Sequence, residues 1–134
     1  MDGLDSAQLK ELALFAGVED ASLARIAECA SEFEARAGHV LMEVGRPGTG
    51  LFVLEEGEVA VDLPGGRTLR LGGGEFFGEL SLLTDEPHTA RVHAVTDVRC
   101  LAIGRRDFEE LLESDPCVAV AMLPVLARRL VQLG

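Results

Sequence analysis

The sequence predicts a mainly β fold with flanking helices: a β-roll or jelly roll of about seven or eight short antiparallel strands, an N-terminal helical pair and C-terminal helices. Three observations predict it. Eleven of the fifteen glycines lie between Gly38 and Gly78, so the turns concentrate in the middle of the chain. From residue 32 the apolar period falls to two, the spacing of a half-buried strand. Both ends are poor in glycine and rich in helix formers.

Taken in order, Leu9, Leu12, Ala13 and Ala16 recur at helical spacing behind the candidate caps Asp5 and Ser6, which predicts a short amphipathic helix. After Gly17, Leu23, Ile26, Ala27 and Ala30 repeat the spacing behind Asp20. The two helices either pair antiparallel or cap a sheet. Strands are predicted at 32–36, 39–43, 50–54, 57–63, 67–71, 89–95 and 97–103, each ending in glycine or another turn former. The fourth is the clearest: Val59, Val61 and Leu63 alternate with Ala60 and Asp62, and Pro64-Gly65-Gly66 turns the chain back. Strands so short and so closely spaced suit a roll.

The tail opens with a helix whose Phe108, Leu111 and Leu112 share a face. Pro116 then suits the first position of a second helix, along which Val118, Met122, Leu126 and Leu130 follow. Pro124 removes a backbone donor inside that helix and predicts a kink or split. The expected organisation is one domain over 1–134: N-terminal helices over 1–31, the roll over 32–104 and C-terminal helices over 105–134.

Composition excludes several functions. Twelve basic against 23 acidic residues leave a net charge of −11, and Lys10 is the only lysine. Such a surface repels polyphosphate, and direct nucleic-acid binding by this segment is not expected. The acidic N-terminus is unlike a secretory signal, and no uncharged apolar run is long enough for a bilayer. A cytoplasmic protein without membrane contact is the expectation. Cys29, Cys100 and Cys117 are odd in number and unrelated in spacing, which predicts buried free thiols rather than disulfides. A cupin-type metal needs a His-x-His pair, and none occurs; His39 and His93 read as strand residues. Ser81 lacks the G-x-S-x-G elbow, and Cys100 reads as a buried strand thiol. No enzyme, metal or cofactor is predicted.

The informative stretch is residues 72–92, G-G-G-E-F-F-G-E-L-S-L-L-T-D-E-P-H-T-A-R-V. Glycine-rich chain runs into a helix-compatible segment from Glu79 to Leu83, where the amides of Leu80 and Ser81 are placed to face an anion. Gly78 permits a close approach, and Glu79 can accept hydrogen bonds from sugar hydroxyls. As the first residue of a helix, Glu79 also suits the dipole. The Arg105-Arg106 and Arg128-Arg129 pairs read as a solvated helix start and a cationic helix end.

F-G-E-L-S-L followed by P-x-T-A resembles the phosphate-binding cassette of the cyclic nucleotide-binding domain family, here over 76–91. The stretch from Ala37 to Val59 resembles that family's early strands, with Gly38, Gly45 and Gly57 at its turns; the likeness extends over about residues 10–132. The resemblance implies a regulatory β-roll that holds the ligand's cyclic phosphate and a ribose hydroxyl while C-terminal helices move over the base. It implies that Glu79 binds the ribose 2′-hydroxyl, that the backbone of Gly78, Leu80 and Ser81 faces the ribose phosphate, and that the Ala90 amide meets the phosphate. Thr89 falls where family members touch phosphate or base with a hydroxyl, and a threonine there goes with tolerance of cGMP.

One position departs from the pattern. Ligand-binding members carry an arginine after the proline, and this chain carries His88. Losing a hydrogen bond to a charged group costs about 1.5–3 kcal/mol, roughly ten- to hundredfold in affinity. Two compensations follow: His88 binds as imidazolium, with affinity greatest in acid, or Arg91, sharing strand parity with Thr89, reaches the anion. The functional expectation is a sensor of cAMP, cGMP or a similar small anion that signals through its terminal helices. The alternative is a degenerate fold that serves as an interaction or dimerisation module. The apolar face of residues 118–130 suits packing on the roll or a homodimer through the C-terminal helices. The chain ends before a helix-turn-helix, which leaves the effector absent or in trans.

Overall fold

The structure, a computed structural model, describes residues 9–133. Eight strands form two four-stranded antiparallel sheets: β1 (Ser31–Ala35), β8 (Val98–Gly104), β3 (Gly50–Glu56) and β6 (Phe76–Phe77) in one, and β2 (Val40–Met42), β7 (Arg91–Ala94), β4 (Val59–Asp62) and β5 (Thr68–Leu71) in the other, in those spatial orders. Among the described residues the helices of a full turn or more are α1 (Asp20–Cys29), α2 (Glu79–Thr84), α3 (Arg105–Ser114) and α4 (Pro116–Leu133). The predicted β-roll with flanking helices is the architecture found.

Strand parity divides the core in two. Leu51, Val53, Leu101 and Ile103 face the helices and pack with Leu14, Phe15, Leu23, Ile26, Phe108, Val118 and Met122. Alternate residues, Leu54, Cys100 and Val98, face inward together with Phe77 and meet Val59, Val61, Leu71, Val92 and Ala94 of the opposite sheet. The central strands β3 and β8 of the first sheet are therefore covered on both faces, while the edge strand β1 is largely exposed. Phe33, Phe52 and Phe77 run in line across the sheet, with ring centroids 5.9 and 5.4 Å apart, and add aromatic contacts to area burial.

Several elements differ from the sequence reading. The first helix is not one unit over the predicted face: Leu9 and Lys10 are helical, a turn follows, and a 3-10 turn spans Ala13–Phe15. Leu14 and Phe15 are buried there while Ala13 and Ala16 are exposed, because large side chains capture core space that alanines cannot fill. The caps Asp5 and Ser6 lie outside the described residues. Asp20 is the first residue of α1 rather than its cap, with Glu19 at the cap position. The strand β6 went unread because two residues carry no period. α4 runs through Pro124 without a split; the carbonyl that loses its donor belongs to Val120, whose side chain is exposed.

The tail is pinned to α1 at the α3–α4 junction, where Asp115 accepts hydrogen bonds from Ser22 Oγ at 2.6 Å and from the Arg25 guanidinium. All three cysteines are free, yet only Cys100 is buried; Cys29 is half-buried and Cys117 exposed at the start of α4. Burial pushes the Cys100 thiol up to about 11, with the Glu55 charge adding to it.

Glu55 itself is half-buried, and its Oε1 has no hydrogen-bond partner. Burial first, then hydrogen bonding and repulsion from Glu32, push its carboxyl from the ordinary 4.5 up to about 7, against the opposing pull of Arg99. The folded state therefore holds this proton more tightly than the unfolded chain. Its contribution to stability is full below about pH 4.5 and is lost as pH rises through 7. Glu55→Gln is expected to raise the melting temperature at pH 8 and leave it unchanged at pH 4.5. Equal pH dependence in the two proteins would contradict this.

Candidate functional site

A cavity of about 450 Å³ opens between the second sheet and the cassette, within the roughly 300–1,000 Å³ usual for small-ligand sites. Its walls are apolar: Met42, Val61, Leu63, Leu69, Leu71, Phe77 and Val92. Its polar side comes from the cassette, with Gly78, Glu79, Leu80, Ser81, His88, Thr89 and Ala90 all at the lining, together with Arg67, Glu86 and Arg129. Arg91 does not line it; its Nε lies 3.5 Å from Glu43 Oε2 on the outside of β7. The strand carrying Arg91 begins only at that residue, so the parity with Thr89 does not carry across the turn.

Gly78 caps the six-residue helix α2 in the left-handed region, at φ 92°. A β-carbon there would sit 2.8 Å from the Gly50 carbonyl oxygen and 3.2 Å from the Phe52 ring. Its close approach is thus to β3, and it seats the start of α2 directly on the sheet. From within α2, Ser81 Oγ donates to the Glu86 carbonyl beyond its end, and Thr84 Oγ1 donates to the Leu80 carbonyl at 2.8 Å. Arg105 closes the assembly from α3: its Nε donates to the Gly48 carbonyl at 3.0 Å, and its other nitrogens reach Asp85 at 3.1 Å and the Ser81 carbonyl at 3.4 Å. The solvated role expected for Arg105 is therefore replaced by a clamp between α3 and the cassette.

Glu79 is 2% exposed. Burial pushes its carboxyl upward, and the Arg129 guanidinium beside it pulls the other way. Arg129 reaches it from α4 across 50 residues of sequence, with Nη1 3.5 Å from Glu79 Oε2. The same guanidinium lies 4.0 Å over the Phe76 ring, a cation–π contact that is strengthened by exclusion of water. Arg129 is 6% exposed, which corrects the expectation of a solvated cationic helix end. Its Nε is buried without a hydrogen-bond partner. The signal was periodic: Val118, Met122, Val125 and Arg129 lie on one helical face. A run stepped strictly by four drifts off that face, and Leu130 is accordingly 58% exposed.

His88 is 8% exposed. Its backbone is tied to the loop before β3, donating to the Arg46 carbonyl at 3.0 Å and accepting from Gly45 N–H at 2.9 Å. Burial holds its imidazole below the ordinary 6.5. His93 sits in β7 with Nδ1 3.6 Å from Asp62 Oδ2, and His39 is exposed before β2. Among the described residues no cluster of three or more His, Cys, Asp or Glu side chains is arranged to hold a metal ion.

Comparison with known proteins agrees with this geometry. The family model for the cyclic nucleotide-binding domain matches residues 32–115. A cyclic nucleotide-gated potassium channel of Mesorhizobium japonicum is 41% identical over 62% of this chain and 23% of its own length. A CRP-like cAMP-activated global transcriptional regulator of Mycobacterium tuberculosis is 30% identical over 91% of this chain and 57% of its own. The crystal structure of the Thermus thermophilus catabolite activator protein superposes with a TM-score of 0.77 at 31% identity, over 89% of this chain and 58% of that one. The chain thus spans about a quarter to just over half of these proteins. With a family match over more than half its residues, the same roll and a cavity lined by the cassette, the chain belongs to the cyclic nucleotide-binding domain family.

Proposed function

We propose that the chain is a ligand-sensing regulatory domain that takes cAMP or cGMP in the cassette cavity and signals through its terminal helices, acting by binding rather than catalysis. Glu79 accepts the ribose 2′-hydroxyl; the backbone of Gly78, Leu80, Ser81 and Ala90 meets the phosphate region; Thr89 offers its hydroxyl at the mouth. The buried contact between Glu79 and Arg129 carries this reading, because it joins the cavity floor directly to α4. A ribose hydroxyl donating to Glu79 competes with Arg129 for the same carboxylate. A ligand biases an equilibrium only through such differential contacts.

The opposite face of α4 leaves Val120, Leu123, Leu130 and Val131 between 58% and 80% exposed. This stripe supports a homodimer through α4, with the effector supplied by another segment or in trans. No helix among the described residues is long and apolar enough to cross a membrane. Three free cysteines fit a reducing compartment, and we place the protein in the cytoplasm.

Amide hydrogen exchange with and without saturating cAMP tests the coupling. Slower exchange over residues 78–90 accompanied by a change over 126–133 is the expected result. Protection of the cassette with α4 unaltered would overturn the signalling route. A folded chain unaffected by cAMP or cGMP would instead favour a pure interaction module.

A further inference from the structure

We propose that Arg105 is a positioning residue of the cassette: from the first turn of α3 it holds the far end of α2, so that the placement of the terminal helices sets the affinity of the cavity for its ligand. This rests on the reading of the cavity as a cyclic-nucleotide site.

The need for such a tie follows from the length of α2. Six residues are too few for a helix to persist on its own contacts, yet Glu79, Leu80 and Ser81, the groups assigned to the ligand, all stand on it. Its near end is seated on β3 by Gly78, and Leu82 packs in the helix-side core. At its far end, where a helix leaves carbonyls without intrahelical partners, Arg105 Nη2 donates to the Ser81 carbonyl at 3.4 Å. Asp85 then turns the chain through the left-handed region at φ 60°, where a side chain is disfavoured. Arg105 Nη1 lies 3.1 Å from its Oδ1.

The guanidinium is itself fixed. Its Nε donates to the Gly48 carbonyl at 3.0 Å, Glu109 Oε2 lies 3.4 Å from Nη1, and the Arg105 backbone N–H donates to the Thr49 carbonyl at 2.9 Å. Space is closed on the same side: a β-carbon on Gly48 would sit 2.7 Å from Ser81 Cβ and 3.4 Å from Arg105 Nη2. The loop before β3, α2 and α3 thus meet without room for one methyl group.

Arg105 is the first residue of α3, and α3 passes into α4 at Asp115. A displacement of these helices withdraws the guanidinium from α2 and lowers the share of molecules with an ordered cassette. Apparent affinity falls with that share. Reciprocity then requires a bound ligand to hold α3 in place by the same factor. This route is separate from the contact between Arg129 and Glu79, which meets the first residue of α2.

The test combines amide hydrogen exchange, with and without cAMP, and calorimetric titration with cAMP. The proteins are the wild type, Arg105→Ala, Arg105→Lys and, as a control from the same doublet, Arg106→Ala at an exposed position. In Arg105→Ala, protection over residues 79–86 is expected to be lost in the free protein and restored at saturating cAMP, while β3 and β8 keep wild-type exchange. Affinity is expected to fall about tenfold, as when the ordered share drops to roughly a tenth. Arg105→Lys keeps the charge opposite Asp85 and Glu109 but not the planar fork that also spans Gly48 and Ser81, so it should fall between the two in protection and in affinity alike. Arg106→Ala should match the wild type. Wild-type protection and affinity in Arg105→Ala overturn the proposal. So does exchange that quickens equally in β3 and β8, the mark of a general loss of stability, or affinity that does not follow protection across the three proteins. If the folded wild type binds no cAMP while Arg105→Ala alone loses protection over 79–86, the cavity reading fails and the tie from Arg105 to α2 stands.

Discussion

Replacing Glu79 by alanine is expected to cost about 3–5 kcal/mol, the usual penalty for leaving one member of a buried ion pair without its partner. The two partners are not equivalent. Arg129 keeps its proton, so without Glu79 its guanidinium faces the Phe76 ring and apolar wall as an uncompensated charge. It must swing to water and take the last turns of α4 with it. Arg129→Ala leaves a carboxyl that burial already favours in its neutral form, and protonation relieves the strain at modest cost. Glu79→Ala should therefore destabilise more than Arg129→Ala, and the double variant Glu79→Ala/Arg129→Ala should lose less than the sum of the two. Thermal or urea unfolding of the four proteins measures this cycle. Additive losses would show that the pair does not interact.

Gly78→Ala is expected to combine a stability loss with a loss of binding. A left-handed backbone costs an alanine about 1–2 kcal/mol. The added carbon also meets the Gly50 carbonyl oxygen at 2.8 Å, and neither partner is a flexible side-chain end. Relief requires α2 to lift from β3, which displaces the amides of Leu80 and Ser81 and the Glu79 carboxylate together. The expectation is a melting temperature lower by roughly 5–10 °C and cAMP affinity weaker by at least about tenfold, the cost of a single misplaced charge-assisted contact. Gly65→Ala is the control, since it too has a positive φ, 84°, but its β-carbon would meet nothing within 4 Å. Equal losses at the two positions would remove the argument from close approach.

Most of the roll was legible because strands and turns are local. Val59 and Val61 face the core as their alternation predicts, with Ala60 between them buried as well, and Gly57, which ends β3, has a positive φ. The cassette was legible for the same reason: its helix start, glycine and turn lie within about one continuous segment, and seven of its eight nominated residues line the cavity. Contacts made across the fold were not. Arg129 meets Glu79 across the molecule, and Arg105 gathers Gly48, Ser81 and Asp85 from two segments. A doublet of arginines at a helix end satisfies the dipole equally well in either orientation, so local reasoning selects the solvated one. The helical face shared with Val118 and Met122, and the need of a buried Glu79 for a cation, together identify Arg129. The first helix failed differently, because Leu14 and Phe15 outweigh a face built partly from alanines.

The sensing role depends on the cavity taking a cyclic nucleotide by way of Glu79. The most direct measurement is a calorimetric titration with cAMP at pH 6, on the wild type and on Arg129→Ala and Glu79→Gln variants shown to be folded. Saturable binding at one site per chain is predicted, retained or improved when Arg129 no longer competes for the carboxylate and sharply weakened when Glu79 is lost. Absence of heat and of thermal stabilisation at millimolar cAMP in the folded wild type, or binding indifferent to Glu79, would contradict it.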